Sequence, residues 1–185
     1  MNNLPLAPFL AELTKRIDLA ALYRPFRDRY LETIVACHER GSDYYAISGT
    51  RPDPEQDALF AIGRKKVEGA TGPWYVLDPP KKVVTNAKAG ESDHSFGIGV
   101  DNSLDKDVER AGLQPGWSMP DYLVLAEEAR RLGLNALYWS KTFPEGPHVG
   151  LDLKKYGITH AQLRRIQQKG GQTAVWEFLD TVGPW

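Results

Sequence analysis

Apolar positions in the first forty residues recur at helical spacing. Leu10, Leu13, Ile17 and Ala20-Ala21 share one face, and after Pro25 the set Phe26, Tyr30, Ile34 and Cys37 does the same. Residues 7 to 40 therefore read as two amphipathic helices, the second stopped by Gly41. The period then changes. Tyr44-Tyr45-Ala46-Ile47-Ser48 is a short β-prone run, and from Pro54 to Gly63 the helical pattern returns with Ala58, Leu59 and Ile62 on one side. A strand is thus expected to deliver Ser48 to Arg51 to a strand-helix junction.

Gly69, Gly72, Pro73, Pro79 and Pro80 crowd the segment from 65 to 82, which also carries Trp74 and Tyr75 and predicts a long irregular loop. Lys82 to Thr85 reads as a strand and Phe96 to Val100 as a weak one. Ser118-Met119-Pro120-Asp121 has the capping residue and the acid three later that start a helix. The stripe Tyr122, Leu125, Ala126, Ala129 and Leu132 continues that helix, and Gly133 closes it. Leu137 to Trp139 and His148 to Leu153 are the last strand candidates, and Thr159 caps a terminal helical segment broken at Gly170-Gly171. Helices first, then short strands mixed with helices, predict an α+β fold with a small, mostly antiparallel sheet flanked by helices. One domain is expected over 1–185, because residues 151–185 are too few for a second core and read as a helical appendage on the first.

Composition adds exclusions. The 185 residues carry 23 Lys+Arg against 24 Asp+Glu, a net charge of -1, and are 42% hydrophobic. Such a chain can bury a core without disulfides. The one cysteine, Cys37, cannot pair within the chain, sits in an apolar stripe and is expected to be a buried structural thiol, so any metal must be held by His, Asp or Glu. The basic clusters Arg64-Lys65-Lys66, Lys81-Lys82 and Arg130-Arg131 read as solvated faces, and nucleic acid is not an expected partner. The N-terminus lacks a basic region followed by an apolar run, and no apolar stretch approaches the roughly 18 residues of a membrane span. Synthesis in the cytoplasm without a signal peptide, and no membrane insertion, are the expectations.

Of the four histidines, His94 and His148 lie in segments rich in polar residues, Gly and Pro that contribute little to a core. In Ser92-Asp93-His94-Ser95-Phe96-Gly97-Ile98-Gly99-Val100-Asp101 an imidazole and a carboxylate stand seven positions apart. Fully extended, that separation spans on the order of 23 to 25 Å, too far for both to meet one ion at roughly 2 Å. The segment must bend, and Gly97 and Gly99 permit a bend or bulge. The other reading is a glycine-rich hairpin with a solvent-facing His. In Pro144-Glu145-Gly146-Pro147-His148 a carboxylate precedes an imidazole by three residues, a tether that can hold a base beside a ligating His, or a plain turn with a surface Glu. Together His94, Asp101 and His148 make a two-His, one-carboxylate set with a fourth tetrahedral position left for water, the form of a hydrolytic zinc site.

These residues carry a family resemblance. Ser48-Gly49-Thr50-Arg51, Glu55-Gln56-Asp57-Ala58-Leu59-Phe60 with Gly63-Arg64, Val84-Thr85-Asn86-Ala87, Ser92-x-His94-x-x-Gly97-x-Gly99-x-Asp101, Leu132-Gly133-Leu134 and Glu145-x-Pro147-His148 follow in order over about 26–150. In this the chain resembles the M15 zinc peptidases, which include D-alanyl-D-alanine carboxypeptidases and dipeptidases and the L-alanyl-D-glutamate endopeptidases of phage lysins. The resemblance implies that family's fold, shared with hedgehog-like domains. It implies His94, Asp101 and His148 as zinc ligands, Glu145 as general base, and Arg51 as the cation facing the scissile carbonyl. Arg51 would otherwise read as a surface arginine at a helix entrance. Gln56 and Ser92 are expected to support the site by hydrogen bonds or to make ordinary capping contacts. Trp74, Tyr75 and Trp139 are expected to line the cleft, or else to anchor a long loop.

The chain departs from the family's pattern at Gly99, where Ala is usual, at Asn102, where an apolar residue is usual, and at Val149, where an aromatic is frequent. Asn135 to Phe143 replaces a glycine-rich stretch, and the 65–82 loop is longer than usual. The implied function is zinc-dependent hydrolysis of an amide in peptidoglycan stem peptides by a monomer. An L-alanyl-D-glutamate endopeptidase comes before a D-alanyl-D-alanine carboxypeptidase, and a silent cell-wall peptide-binding relative is the reading from another class. A wall substrate then asks for release by a holin, as for an endolysin, or injection by a secretion system, as for a toxin, unless the enzyme trims released wall peptides inside the cell.

Overall fold

The computed structural model describes residues 5–69, 74–78, 81–107, 110, 112–138 and 145–183, with no description of the side chains of Thr14, Trp74, Leu137, Tyr138 and Glu145. Trp139 lies outside these residues. The fold is α+β, as the periodicity predicts. Helices α1 (Leu6–Arg16) and α2 (Arg24–Glu39) precede β1 (Tyr44–Ser48), α3 (Asp53–Ala61), β2 (Arg64–Val67), β3 (Trp74–Leu77), β4 (Gly99–Asp105) and β5 (Pro115–Gly116). Then come α4 (Leu123–Arg131), β6 (Leu134–Tyr138), β7 (Glu145–Leu151) and α5 (His160–Val182). The main sheet runs β1-β4-β7-β6, with β5 paired to the end of β4, and every pairing is antiparallel.

Alternation along β4 divides its residues between two faces. Val100 and Asn102 turn to the helices, where Phe26, Tyr30, Ile34, Cys37, Leu125 and Ala129 are fully buried. Asp101 turns the other way. Asn102, anomalous by the family's pattern, is fully buried yet satisfied: its Oδ1 accepts from Tyr30 Oη at 2.7 Å and its Nδ2 donates to Pro147 O at 3.1 Å. Val149, another departure, is simply core.

Several expectations need correction, among them the weak strand over Phe96 to Val100, which starts only at Gly99 because Phe96 closes a 3-10 turn. Lys82 to Thr85 forms no strand, and the 65–82 stretch is not wholly irregular, because β2 and β3 pair as a separate two-stranded sheet from Arg64↔Leu77 to Val67↔Trp74. Arg64 belongs to no solvated face. Its guanidinium lies 4.1 Å from the Phe60 ring centre and donates to Thr85 O and Asn86 Oδ1, both at 2.9 Å, which fastens residues 85–86 beside α3.

The terminal helix is knit into the core. Thr159 and Gln162 form a capping box, Leu163, Val175 and Leu179 are fully buried, and the backbone leaves helical angles at Gly171 (φ 71°), where the sequence predicts the break. Trp176 Nε1 and Gln167 Nε2 donate to Phe96 O and Ser95 O at 3.0 and 2.8 Å, so α5 grips the turn that carries His94.

Cys37 is buried, and desolvation, aided by the charge of Glu128, pushes its thiol up to about 12. Native protein at pH 8 is expected to react with a thiol reagent on the order of 10³ times more slowly than an ordinary cysteine, with reactivity returning on denaturation. Rapid labelling of the folded protein would contradict this.

Candidate metal centre and its cleft

Sheet register accounts for half of the site. Asp101 on β4 is paired directly with His148 on β7, so both side chains stand on the same face. The bend expected upstream is a short 3-10 turn, Asp93–Phe96, capped by Ser92, whose Oγ accepts from His94 N. Gly97 ends the turn at φ 67°, where a Cβ would lie 2.6 Å from Ala21 O, so this position needs glycine twice over. The chain reverses there, and His94 is returned to Asp101.

His94, Asp101 and His148 consequently offer ligand atoms that all lie within 4.8 Å of one another. His94 Nε2 is 3.2 Å from Asp101 Oδ2, and His148 Nδ1 is 3.0 Å from Asp101 Oδ1. A tetrahedral ion with ligands at about 2.0 to 2.1 Å needs donor separations of this order. His94 Nδ1 meets Gly49 O at 2.7 Å, which places its proton on Nδ1 and leaves Nε2 free to ligate. The donor set thus fits zinc.

The electrostatics point the same way. Burial opposes ionisation of Asp101, but hydrogen bonds and charge from His148 and His94 hold it well below the usual carboxylate range. Burial likewise opposes charge on His148, yet Asp101 and Asp93 flank it and raise it to about 10. Two carboxylates, Asp93 and Asp101, thus flank His148 and favour positive charge at this point.

Arg51 stands beside this set, mostly buried, with Nη2 3.6 Å from Asp101 Oδ2. Gln56 Oε1 accepts from Nη1 at 2.7 Å and Ser48 Oγ from Nη2 at 2.6 Å, while Gln56 Nε2 donates to Ala87 O at 2.7 Å. The strand-helix junction therefore presents a fixed guanidinium, aimed by a bulge between Ala46 and Ser48. Glu145 opens β7, and its carboxylate lies outside the described residues. Two steps on β6, Ala136 to Tyr138, span four on β7, Val149 to Glu145, so simple alternation of faces does not hold across 145–148.

The set lies in a cleft of about 660 Å³, also lined by Ile47, Val84, Asp93, Trp117, Lys154 and His160. Trp117, with 59% of its surface exposed, forms an apolar wall that sequence reasoning missed. Tyr75 is not among the described residues of the lining. It packs edge-on against Phe60, ring centres 5.1 Å apart, and so anchors the hairpin to α3. Ser92 lines the cleft as well as capping its turn. His160, set aside on sequence grounds, is in the cleft, and only its place beside the Thr159 cap gives any hint of an ordered role.

No family model matches the chain. Over 125 residues it is 32% identical to the peptidoglycan L-alanyl-D-glutamate endopeptidase CwlK of Bacillus subtilis (strain 168), across 62% of this chain and 64% of that one. The resemblance read from the motifs holds. The chain spans about 64% of the length of this curated relative. Among solved structures, the L-Ala D-Glu endopeptidase ChiX of Serratia marcescens superposes on 80% of this chain and 92% of its own, with a TM-score of 0.49 at 18% identity.

Proposed function

We propose that the chain is a zinc peptidase of the M15 kind that hydrolyses peptidoglycan stem peptides at the L-alanyl-D-glutamate bond. The observation that carries this is the convergence of His94 Nε2, the Asp101 carboxylate and His148 Nδ1 on the floor of an open cleft with Arg51 beside them. Similarity to CwlK supports the choice of substrate and bond. Zinc held there would polarise the scissile carbonyl and make a water acidic enough to attack at neutral pH.

The chain's own residues do the rest. Arg51, fixed by Gln56 and Ser48, offers N–H donors and positive charge to the oxygen that becomes negative in the transition state. Glu145, tethered three residues before His148, takes the proton of the attacking water and passes it to the leaving amine. Trp117, Ile47 and Val84 give the peptide an apolar wall, and Lys154 puts a cation at a rim where a stem-peptide carboxylate can lie. Action on the intact wall would place the protein in the periplasm or outside the cell, and action on released wall peptides would place it inside. Among the described residues no helix is long and apolar enough to cross a membrane.

Defined peptides test the choice of bond. Zinc-loaded protein is expected to release fragments with a new D-Glu amino terminus from L-Ala-D-Glu-containing stem peptides, detected by mass spectrometry, while Glu145→Ala gives at most about a hundredth of that rate. Loss of a terminal D-Ala alone would make it a carboxypeptidase. No product from any wall peptide, with zinc bound, would make it a silent binder.

A further inference from the structure

Asp93 meets two imidazoles in the cleft, and nothing in the proposed reaction uses it. It stands between Ser92 and His94 in the 3-10 turn, with Oδ2 3.0 Å from His148 Nε2 and Oδ1 2.6 Å from His160 Nε2. An ionised carboxylate only accepts, so both imidazoles must present their Nε2 protons to it. For a neutral His148 that leaves Nδ1 bare, and Nδ1 is the nitrogen turned toward Asp101. His160 in turn comes from the first turn of α5 and stacks on Phe96, ring centres 6.0 Å apart.

The backbone is hollowed to admit this contact. Gly99 and Gly150 are paired across β4 and β7. A Cβ on Gly150 would lie 2.3 Å from Asp93 Oδ2 and 3.0 Å from His148 Nε2. One on Gly99 would lie 2.6 Å from Asp93 Cβ and 2.7 Å from His148 Cε1. The departure at Gly99 thus has a reason: an alanine there would strike the aspartate that reaches His148.

We propose that Asp93 is a positioning residue that holds His148 through Nε2 so that Nδ1 is presented to the metal, and that His160 holds Asp93, making the terminal helix a working part of the metal centre. The proposal rests on the reading of His94, Asp101 and His148 as ligands. Imidazole ligands held in this way by a carboxylate bind metal more tightly, because ring angle and tautomer are fixed beforehand.

The test combines zinc affinity, by competition with a chromogenic chelator, with nitrogen-edited proton spectra of the histidine rings in zinc-loaded protein. Wild-type protein is expected to show a slowly exchanging, downfield His148 Nε2 proton, and Asp93→Ala is expected to abolish it and to weaken zinc binding about 10- to 100-fold. Asp93→Asn, with one acceptor for two rings, is expected to fall between. His160→Ala should cost less, and should add nothing to Asp93→Ala because it acts through Asp93. Gly150→Ala displaces the carboxylate without removing it, is expected to weaken zinc in the same range, and serves if Asp93→Ala does not fold. Wild-type affinity and an unchanged His148 signal in Asp93→Ala or Gly150→Ala would overturn the proposal. A wild-type protein that binds no zinc would overturn the metal centre itself.

Discussion

His94→Ala protein is expected to come through purification essentially free of zinc. His94 is buried, its Nε2 converges with Asp101 and His148, and its Nδ1 is anchored on Gly49 O, so the ring is spent wholly on this position. Four-ligand structural zinc sites are worth about 10 to 16 kcal/mol, or roughly 3 kcal/mol per protein ligand, and removing one of only three should weaken binding by a factor on the order of 10² or more. The alanine also leaves a buried carbonyl at Gly49 without its donor, so some loss of stability should accompany the loss of metal. Elemental analysis of wild-type and variant protein dialysed together measures the effect. Stoichiometric zinc in His94→Ala would show that the three residues do not form the site.

Arg51→Ala separates the metal from the reaction. The guanidinium touches none of the ligand atoms more closely than 3.6 Å, so zinc content should hold while turnover falls about 10² to 10³-fold, the range for losing one preorganised donor to a developing oxyanion. Arg51→Lys should recover little of this. Gln56 and Ser48 engage two separate nitrogens of a planar fork, and a single ammonium cannot satisfy both while facing the substrate. The checking measurement is the initial rate on stem peptide at matched zinc occupancy. An Arg51→Ala protein with wild-type turnover would remove Arg51 from the chemistry and return it to the strand-helix junction as a structural residue.

The parts of this molecule that were legible in its sequence are those that local period and local backbone chemistry control. The stripes of α2 and α4, the β-prone run of β1 and the stop at Gly41 are of this kind, and so is the bend at Gly97, without which His94 and Asp101 could not meet. What was not legible depends on contacts made late in the chain order. Lys82 to Thr85 is β-prone by composition, but Arg64 takes up Thr85 O and Asn86 and holds the segment against α3 instead. Tyr75, aromatic in a glycine- and proline-rich stretch, suited a cleft wall as well as a loop anchor, and only its contact with Phe60 decides for the anchor. His160 is indistinguishable in sequence from any residue opening a capped helix, because nothing in the local pattern says that this helix end abuts Asp93. Asp93 itself was read only as the spacer between Ser92 and His94. The motif names the ligands, and tertiary packing supplies the residues that orient them.

The most direct test of the whole account is to strip the protein of metal, confirm that it cuts nothing, and return zinc in measured equivalents to purified peptidoglycan digests read by mass spectrometry. Activity that rises linearly to a plateau at one equivalent, with D-Glu amino termini as the new ends, is the predicted result. Stripped protein that still cuts at the wild-type rate, or zinc-saturated protein that releases nothing, would contradict it.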